Sequence, residues 1–362
     1  MNIVKVALAS LLVAGTAHAE CQMQKFGTLP VKIQDNRIVL DGQINGHPMK
    51  FLVDTAAPGT MLLAPYAHSI GLQVDEQFGQ QRQATMEGRL PMGQITLDTL
   101  QIDRYVLKTF RATVRSQRET FGQPDLVAVL GNDFLGQFDI EFDLKGGAMT
   151  LYKPQGCDGA NLAYWTDSYN QLDLKPVKSQ PTDKVQLTAK VNGHDVTALL
   201  DTGSPFTGLT DNAASDANVS FGSDNLLAAQ GQKDGAADFF TLAYDIVNGF
   251  GTEQRTANNT RTGLKIDLGG GPDKVWQTSA DTLQLDQEAI HPAKLRVFHY
   301  NQKAVEIGSL VRERSSFAEG MVLGVDFLLS HRVMVSHSQN KLYFSYTGGP
   351  ALQAASVPPA AN

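Results

Sequence analysis

Cysteine is almost absent. Cys21 and Cys157 are the only two in 362 residues, too few for a cysteine-built zinc cluster. Excess positive charge is absent as well. Lys and Arg number 30 against 37 Asp and Glu, a net charge of −7, whereas a nucleic-acid partner calls for a basic stripe. Beyond the N-terminus there is no apolar run long enough for a helix to cross a bilayer, so no membrane span is expected. His-Glu-x-x-His and Gly-x-Ser-x-Gly are missing, which removes the zinc-protease and serine-hydrolase readings. The glycines at Gly269–Gly271 lack the Lys-Ser/Thr ending of a phosphate loop. No metal and no cofactor is expected.

What is present reads as an ordinary globular chain, 42% apolar and 19% charged. Its length exceeds one ordinary core and predicts two domains. Lys5, the apolar run VALASLLVAGTA and the small-x-small triplet Ala17-His18-Ala19 read as a signal peptide over 1–19. Export follows, to the periplasm or the medium. Glu20 separates the triplet from Cys21, which argues against lipidation. In an oxidising compartment the even pair Cys21 and Cys157 favours a disulfide, with two free thiols as the alternative.

The chain is written twice. Ile44-Asn45-Gly46-His47 is followed after six residues by Asp54-Thr55, and Val191-Asn192-Gly193-His194 after six by Asp201-Thr202. Asn-Gly between alternating apolar runs is a strong hairpin signal. RIVLDGQI therefore turns into MKFLVDT, and KVQLTAKV into DVTALLDT. Each half closes on a second matching segment: Val129-Leu130-Gly131-Asn132-Asp133-Phe134-Leu135 and Val322-Leu323-Gly324-Val325-Asp326-Phe327-Leu328. The boundaries expected are a first lobe over 20–155, a linker over 156–180, and a second lobe over 181–348. The second lobe carries a long insert at about 213–284, and a disordered tail over 349–362 ends the chain.

An apolar strand that ends on a carboxylate needs a partner for it. Two such strands related by a pseudo-twofold axis bring Asp54 and Asp201 face to face. Carboxyls that close share one proton, and the pair can activate a water; paired aspartates of this kind are a known catalytic device. Thr55 and Thr202 are placed to hydrogen-bond across the axis. Gly203 leaves room for substrate and offers its N–H, and Ser204 is expected to bond the outer oxygen of Asp201. Asp133 and Asp326, also repeated, read as structural caps at short helix starts. His47 and His194 read as solvated turn positions.

The pattern hydrophobic-hydrophobic-Asp-Thr-Gly-Ser, with a later hydrophobic-Leu-Gly-x-Asp-Phe-Leu, resembles the retropepsin-like and pepsin-like aspartic proteases. The likeness covers roughly 28–155 and 172–346. It implies an all-β fold of two similar β-barrel lobes with a cleft between them. It also implies a flap formed by the hairpin around Met86, Glu87 and Gly88, and a peptide or polypeptide substrate. The family's catalytic aspartates fall on Asp54 and Asp201, its threonines on Thr55 and Thr202. Its glycine behind the catalytic loop falls on Gly131 and Gly324. The first half departs from the pattern, because it reads Asp54-Thr55-Ala56. The reading is an aspartic endopeptidase with an acid-side optimum, monomeric because the repeat is complete in one chain. The alternative is a peptide- or ligand-binding module on the same fold, disabled at Ala56.

Overall fold

The structure, a computed structural model, describes residues 21–74, 81–85, 88–115, 125–175, 185–229, 256–258, 265–267, 274–299 and 320–352. The signal-peptide reading over 1–19, and Met86 and Glu87 of the flap, fall outside these residues. The fold is all-β. Among the described residues there are four short α-helices and one turn of 3-10 helix.

Both Asn-Gly dipeptides form the predicted turns. Asn45 and Gly46 have φ of 49° and 81°, and Asn192 and Gly193 have 48° and 84°. Positive φ at both central positions is what a type I′ hairpin turn demands, and Asn and Gly reach it at least cost. The turns fix the registers Ile44↔His47 and Val191↔His194. The Asn side chains add a second constraint. Asn45 Oδ1 accepts the Thr99 N–H at 2.9 Å, and Asn192 Oδ1 accepts that of Thr282 at 3.0 Å.

The strands leaving these turns, His47–Val53 and His194–Leu200, bury their last three residues without alternation. The reason is a parallel neighbour on one edge: Phe51–Val53 runs beside Ala128–Leu130, and Ala198–Leu200 beside Met321–Leu323. A strand inside a curved, covered sheet reads as a continuous apolar run. Each lobe thereby places an Asp one residue beyond its most buried strand end.

The first lobe is an eight-stranded sheet, in which Arg37–Ile44 pairs both with His47–Val53 and with Gly88–Ile102. The second lobe is a nine-stranded sheet. A third, six-stranded sheet joins the lobes. Its two central strands are Asp139–Asp143 from the first half and His331–Ser336 from the second.

Three boundaries look different in the structure. Lys274–Ala280 and Leu283–Leu285 lie inside the expected insert, yet they pair as Gly88–Ile102 does in the first lobe. Within 156–180, Asn170–Asp173 is an outer strand of the joining sheet, and Cys157, Leu162 and Ala163 are buried. Within 349–362, Leu352 is fully buried in the main core. Alternating strand signals in these short pieces are too brief to be legible before a neighbouring strand supplies the pairing.

Candidate active site

Asp54 and Asp201 follow directly on the strands His47–Val53 and His194–Leu200, and both are buried. The backbone holds them alike. The Asp54 N–H donates to Leu130 O at 3.1 Å, and that of Asp201 to Leu323 O at 3.0 Å. Asp54 Oδ1 accepts the N–H groups of Ala56 and Ala57 at 2.8 and 2.9 Å. Asp201 Oδ1 accepts those of Gly203 and Ser204 at 2.8 and 3.2 Å. The two carboxyls are close enough that Asp54 acts directly on Asp201. A methyl built on Gly203 would stand 2.7 Å from Asp54 Cγ and 3.0 Å from Asp201 Oδ1, so this glycine is needed for space at the pair.

Thr55 and Thr202 grip each other across the seam. The Thr55 N–H donates to Thr202 Oγ1 at 3.0 Å, and the Thr202 N–H to Thr55 Oγ1 at 3.1 Å. Each hydroxyl then donates to the opposite strand: Thr55 Oγ1 to Leu200 O, and Thr202 Oγ1 to Val53 O, both at 2.8 Å. Four buried bonds are thus satisfied by two residues, and no loop can move without stranding polar groups of the other.

Behind each loop lies a second matched frame. Asp133 accepts the N–H and hydroxyl of Thr60 at 2.9 and 2.8 Å, and Asp326 those of Thr207 at 2.9 and 2.7 Å. The threonine hydroxyls accept in turn from the N–H of Gly131 and Gly324. Those glycines press flat on the loops. A Cβ on Gly131 would be 2.5 Å from the Gly59 backbone, and one on Gly324 2.5 Å from that of Phe206. Sequence reasoning did not single out Thr60 and Thr207, although they repeat at the same 147-residue offset as Thr55 and Thr202. Asp133 and Asp326 are structural, as expected: the N-cap positions are Gly131 and Gly324, but each carboxylate accepts a first-turn N–H, that of Phe134 or Phe327 at 2.9 Å, and it also braces the loop that carries Asp54 or Asp201.

Burial raises carboxyls on both lobes. Burial, then the neighbouring Asp54 carboxyl, holds Asp201 well above the ordinary carboxyl range, against the pull of the Gly203 and Ser204 N–H groups. Burial also lifts Asp326 to about 6. Asp133, which is exposed, is raised as well, and again burial of its carboxyl is the largest cause.

Two expectations are corrected or resolved here. The Ser204 hydroxyl does not bond Asp201; it donates to Phe206 O at 2.7 Å, and only the Ser204 backbone serves the carboxylate. A carbonyl two residues on is the nearer acceptor in this tight turn. Ala56 is not among the described residues with positive φ, so its methyl group meets no backbone penalty, and its N–H reaches Asp54. Gly88 begins the long strand Gly88–Ile102, which pairs with Gln81–Thr85 as the predicted hairpin. Cys21 and Cys157 are disulfide-bonded. His47 and His194 are exposed beside their turns. Among the described residues no group of three or more His, Cys, Asp or Glu is placed to hold a metal ion, and no helix is long and apolar enough to cross a membrane.

Residues 40–137 match the family model described as gag-polyprotein putative aspartyl protease. That match supports a protease-like function and peptide substrates. Solved structures similar to this chain include a retropepsin-like aspartic protease from Rickettsia conorii. It is 20% identical over 37% of this chain and 94% of its own, with a TM-score of 0.25. An aspartic proteinase from Irpex lacteus is 10% identical over 89% of this chain and 97% of its own, with a TM-score of 0.44. EIAV protease, complexed with the inhibitor HBY-793, is 19% identical over 28% of this chain and 86% of its own, with a TM-score of 0.21. A search of the curated proteins finds no match.

Proposed function

We propose that the protein is an aspartic endopeptidase that hydrolyses peptide bonds with a water activated by Asp54 and Asp201. One observation carries the reading: two buried carboxyls that meet beside Gly203 at the seam between the lobes, each fixed by two backbone N–H groups. A pair so held keeps one proton between them. Asp201, raised by burial and by the neighbouring Asp54 carboxyl, is assigned that proton in this reading. Asp54 is then the base that takes a proton from water as the oxygen attacks the peptide carbonyl. Asp201 donates to the carbonyl oxygen. The proton gained by Asp54 goes next to the leaving amine as the C–N bond breaks, and Asp201 recovers its own. No covalent intermediate is needed.

The binding-module alternative depended on Ala56 disabling the first loop, and neither its backbone conformation nor its hydrogen bond to Asp54 favours it. The protein acts as a monomer, since both aspartates come from one chain. It acts outside the cytoplasm, on the strength of the leader-like sequence over 1–19. The test is digestion of denatured casein across pH by the mature chain. Cleavage on the acid side, blocked by a statine-type inhibitor and lost in Asp201→Asn, is expected. Inhibitor binding without any cleavage would return the reading to a binding module.

A further inference from the structure

The two catalytic loops share one frame but not one support. On the first lobe, strand Met61–Leu63 follows the loop and pairs Met61 with Thr113. On the second, strand Gly208–Thr210 follows the loop and pairs Gly208 with Arg296. Arg296 therefore stands where the first lobe has Thr113. One residue before the frame threonine the same asymmetry recurs: Gly59 on the first lobe, Phe206 on the second. These two departures meet. The Arg296 guanidinium lies over the Phe206 ring, with Cζ 3.4 Å from the ring centroid, and both residues are buried. Its charge also acts on Asp326, the carboxylate that holds Thr207.

We infer that Arg296 is a positioning residue for Asp201, acting through Phe206 and Asp326 on the second catalytic loop. The inference rests on the peptidase reading for its kinetic consequence, though not for its structural one. The path is short and each contact is defined. Phe206 O receives the Ser204 hydroxyl, Phe206 backbone abuts Gly324, and Ser204 and Gly203 give Asp201 its two N–H bonds. The Arg296 N–H also donates to Thr207 O at 3.1 Å, which ties its strand to the loop's end.

A buried guanidinium over an aromatic face is held by the ring quadrupole and by the planar fit between the groups. Burial lowers the Arg296 pKa to about 9, so the group still carries its charge at and below neutral pH. The charge serves two ends. It offsets the burial of Asp326, whose oxygens are fixed by Thr207 and Phe327. It also pins the ring of a residue five positions beyond Asp201. On the first lobe a glycine at this place leaves nothing to pin, and the frame carboxylate belongs to a residue, Asp133, that reaches solvent, whereas Asp326 is buried.

The test is a set of variants read by two methods. Amide hydrogen exchange at Gly203 and Ser204 reports the loop directly. Steady-state kinetics on a peptide report its catalytic consequence. In Arg296→Met both amides are expected to exchange at least about tenfold faster, and kcat to fall about tenfold or more with KM little changed. In a Phe206→Gly background, the further change Arg296→Met is expected to add much less than it does alone, because the two act as one unit. Wild-type protection of both amides in folded Arg296→Met, or full additivity of the two changes, would overturn the inference. Should Arg296→Met not fold, Arg296→Lys carries the same test. It keeps a charge near Asp326 but has no planar face for Phe206, so a fully protected loop in that variant also overturns it. If the wild-type chain cleaves nothing, the peptidase reading falls, and the exchange measurement still decides the positioning role.

Discussion

Glu141 and Met334 lie opposite each other in the central pair of strands of the joining sheet. Each stands ten residues after the glycine behind the loop that carries its half's aspartate, Gly131 or Gly324. They are the same position of the two halves, paired with one another. Thr55 and Thr202 are a second such self-matched pair. Two pairs of this kind define the pseudo-twofold axis, and that axis is what brings Asp54 to Asp201. The symmetry is one of backbone and not of chemistry. Glu141 is buried and accepts from Arg332 Nε at 2.6 Å and from the hydroxyls of Tyr152 and Tyr164 at 2.9 and 2.7 Å, whereas Met334 packs in an apolar cluster.

Removing either carboxylate tests the pair. Asp54→Asn and Asp201→Asn are expected to lower kcat by about 10²–10⁴-fold, the range of a lost general acid or base. The fold is expected to survive, because the Asn oxygen accepts the same backbone N–H groups. Peptide cleavage and a thermal melt on the same samples check both halves of this expectation.

The third positions of the two loops are expected to respond in opposite ways. Ala56→Gly relieves no backbone strain, since Ala56 lies outside the positive-φ region. Its cost is the entropy of a freer unfolded chain, about 0.4–1 kcal/mol, and its activity is expected to stay within a few-fold of wild type. Gly203→Ala puts a methyl 2.7 Å from Asp54 Cγ. It is expected to force the carboxyls apart and to reduce kcat at least about a hundredfold, a loss typical of catalytic groups displaced by an ångström. Parallel rate measurements on the two variants decide this.

Asp326 makes stability depend on pH. Its carboxyl has an ordinary value of 3.8 and is lifted by burial to about 6 in the fold. A folded-state value above the unfolded one contributes stability that is fully present below the unfolded value and is lost as pH rises through the folded one. The native state is therefore expected to lose about 3 kcal/mol from this group between roughly pH 4 and 6. Asp201, raised by burial and by Asp54, acts in the same direction. Urea unfolding across this range should show the slope in wild type and a shallower one in Asp326→Asn. An unchanged slope would mean that Asp326 ionises freely in the native state.

The Cys21–Cys157 bond spans 136 residues of chain. It ties the start of Gln22–Pro30 to the small apolar cluster beneath the joining sheet. Closing so long a loop constrains the unfolded chain, and replacing both residues by Ser is expected to cost about 2–5 kcal/mol. Denaturant midpoints of the Cys21→Ser/Cys157→Ser protein and the wild type measure it. Since the strands that carry Asp54 and Asp201 lie elsewhere, any cleavage at low temperature should persist.

The sequence by itself determined the local elements and the candidate dyad. Asn45-Gly46 and Asn192-Gly193 dictate their turns through φ, and the apolar runs before Asp54 and Asp201 dictate strands buried to their ends. Because these signals sit within a few residues of one another, short-range sterics and solvent exclusion are enough to make them legible. Only the tertiary structure decided which hydroxyl serves which carboxylate: Ser204 turned to Phe206 O, while Thr60 and Thr207 turned to Asp133 and Asp326. Nor could the chain order announce that Arg296 rests on Phe206, since the two are brought together by a parallel strand pairing between distant segments. Hydrogen bonds and ring contacts depend on distances of a few tenths of an ångström, and such distances exist only once the strands have been packed.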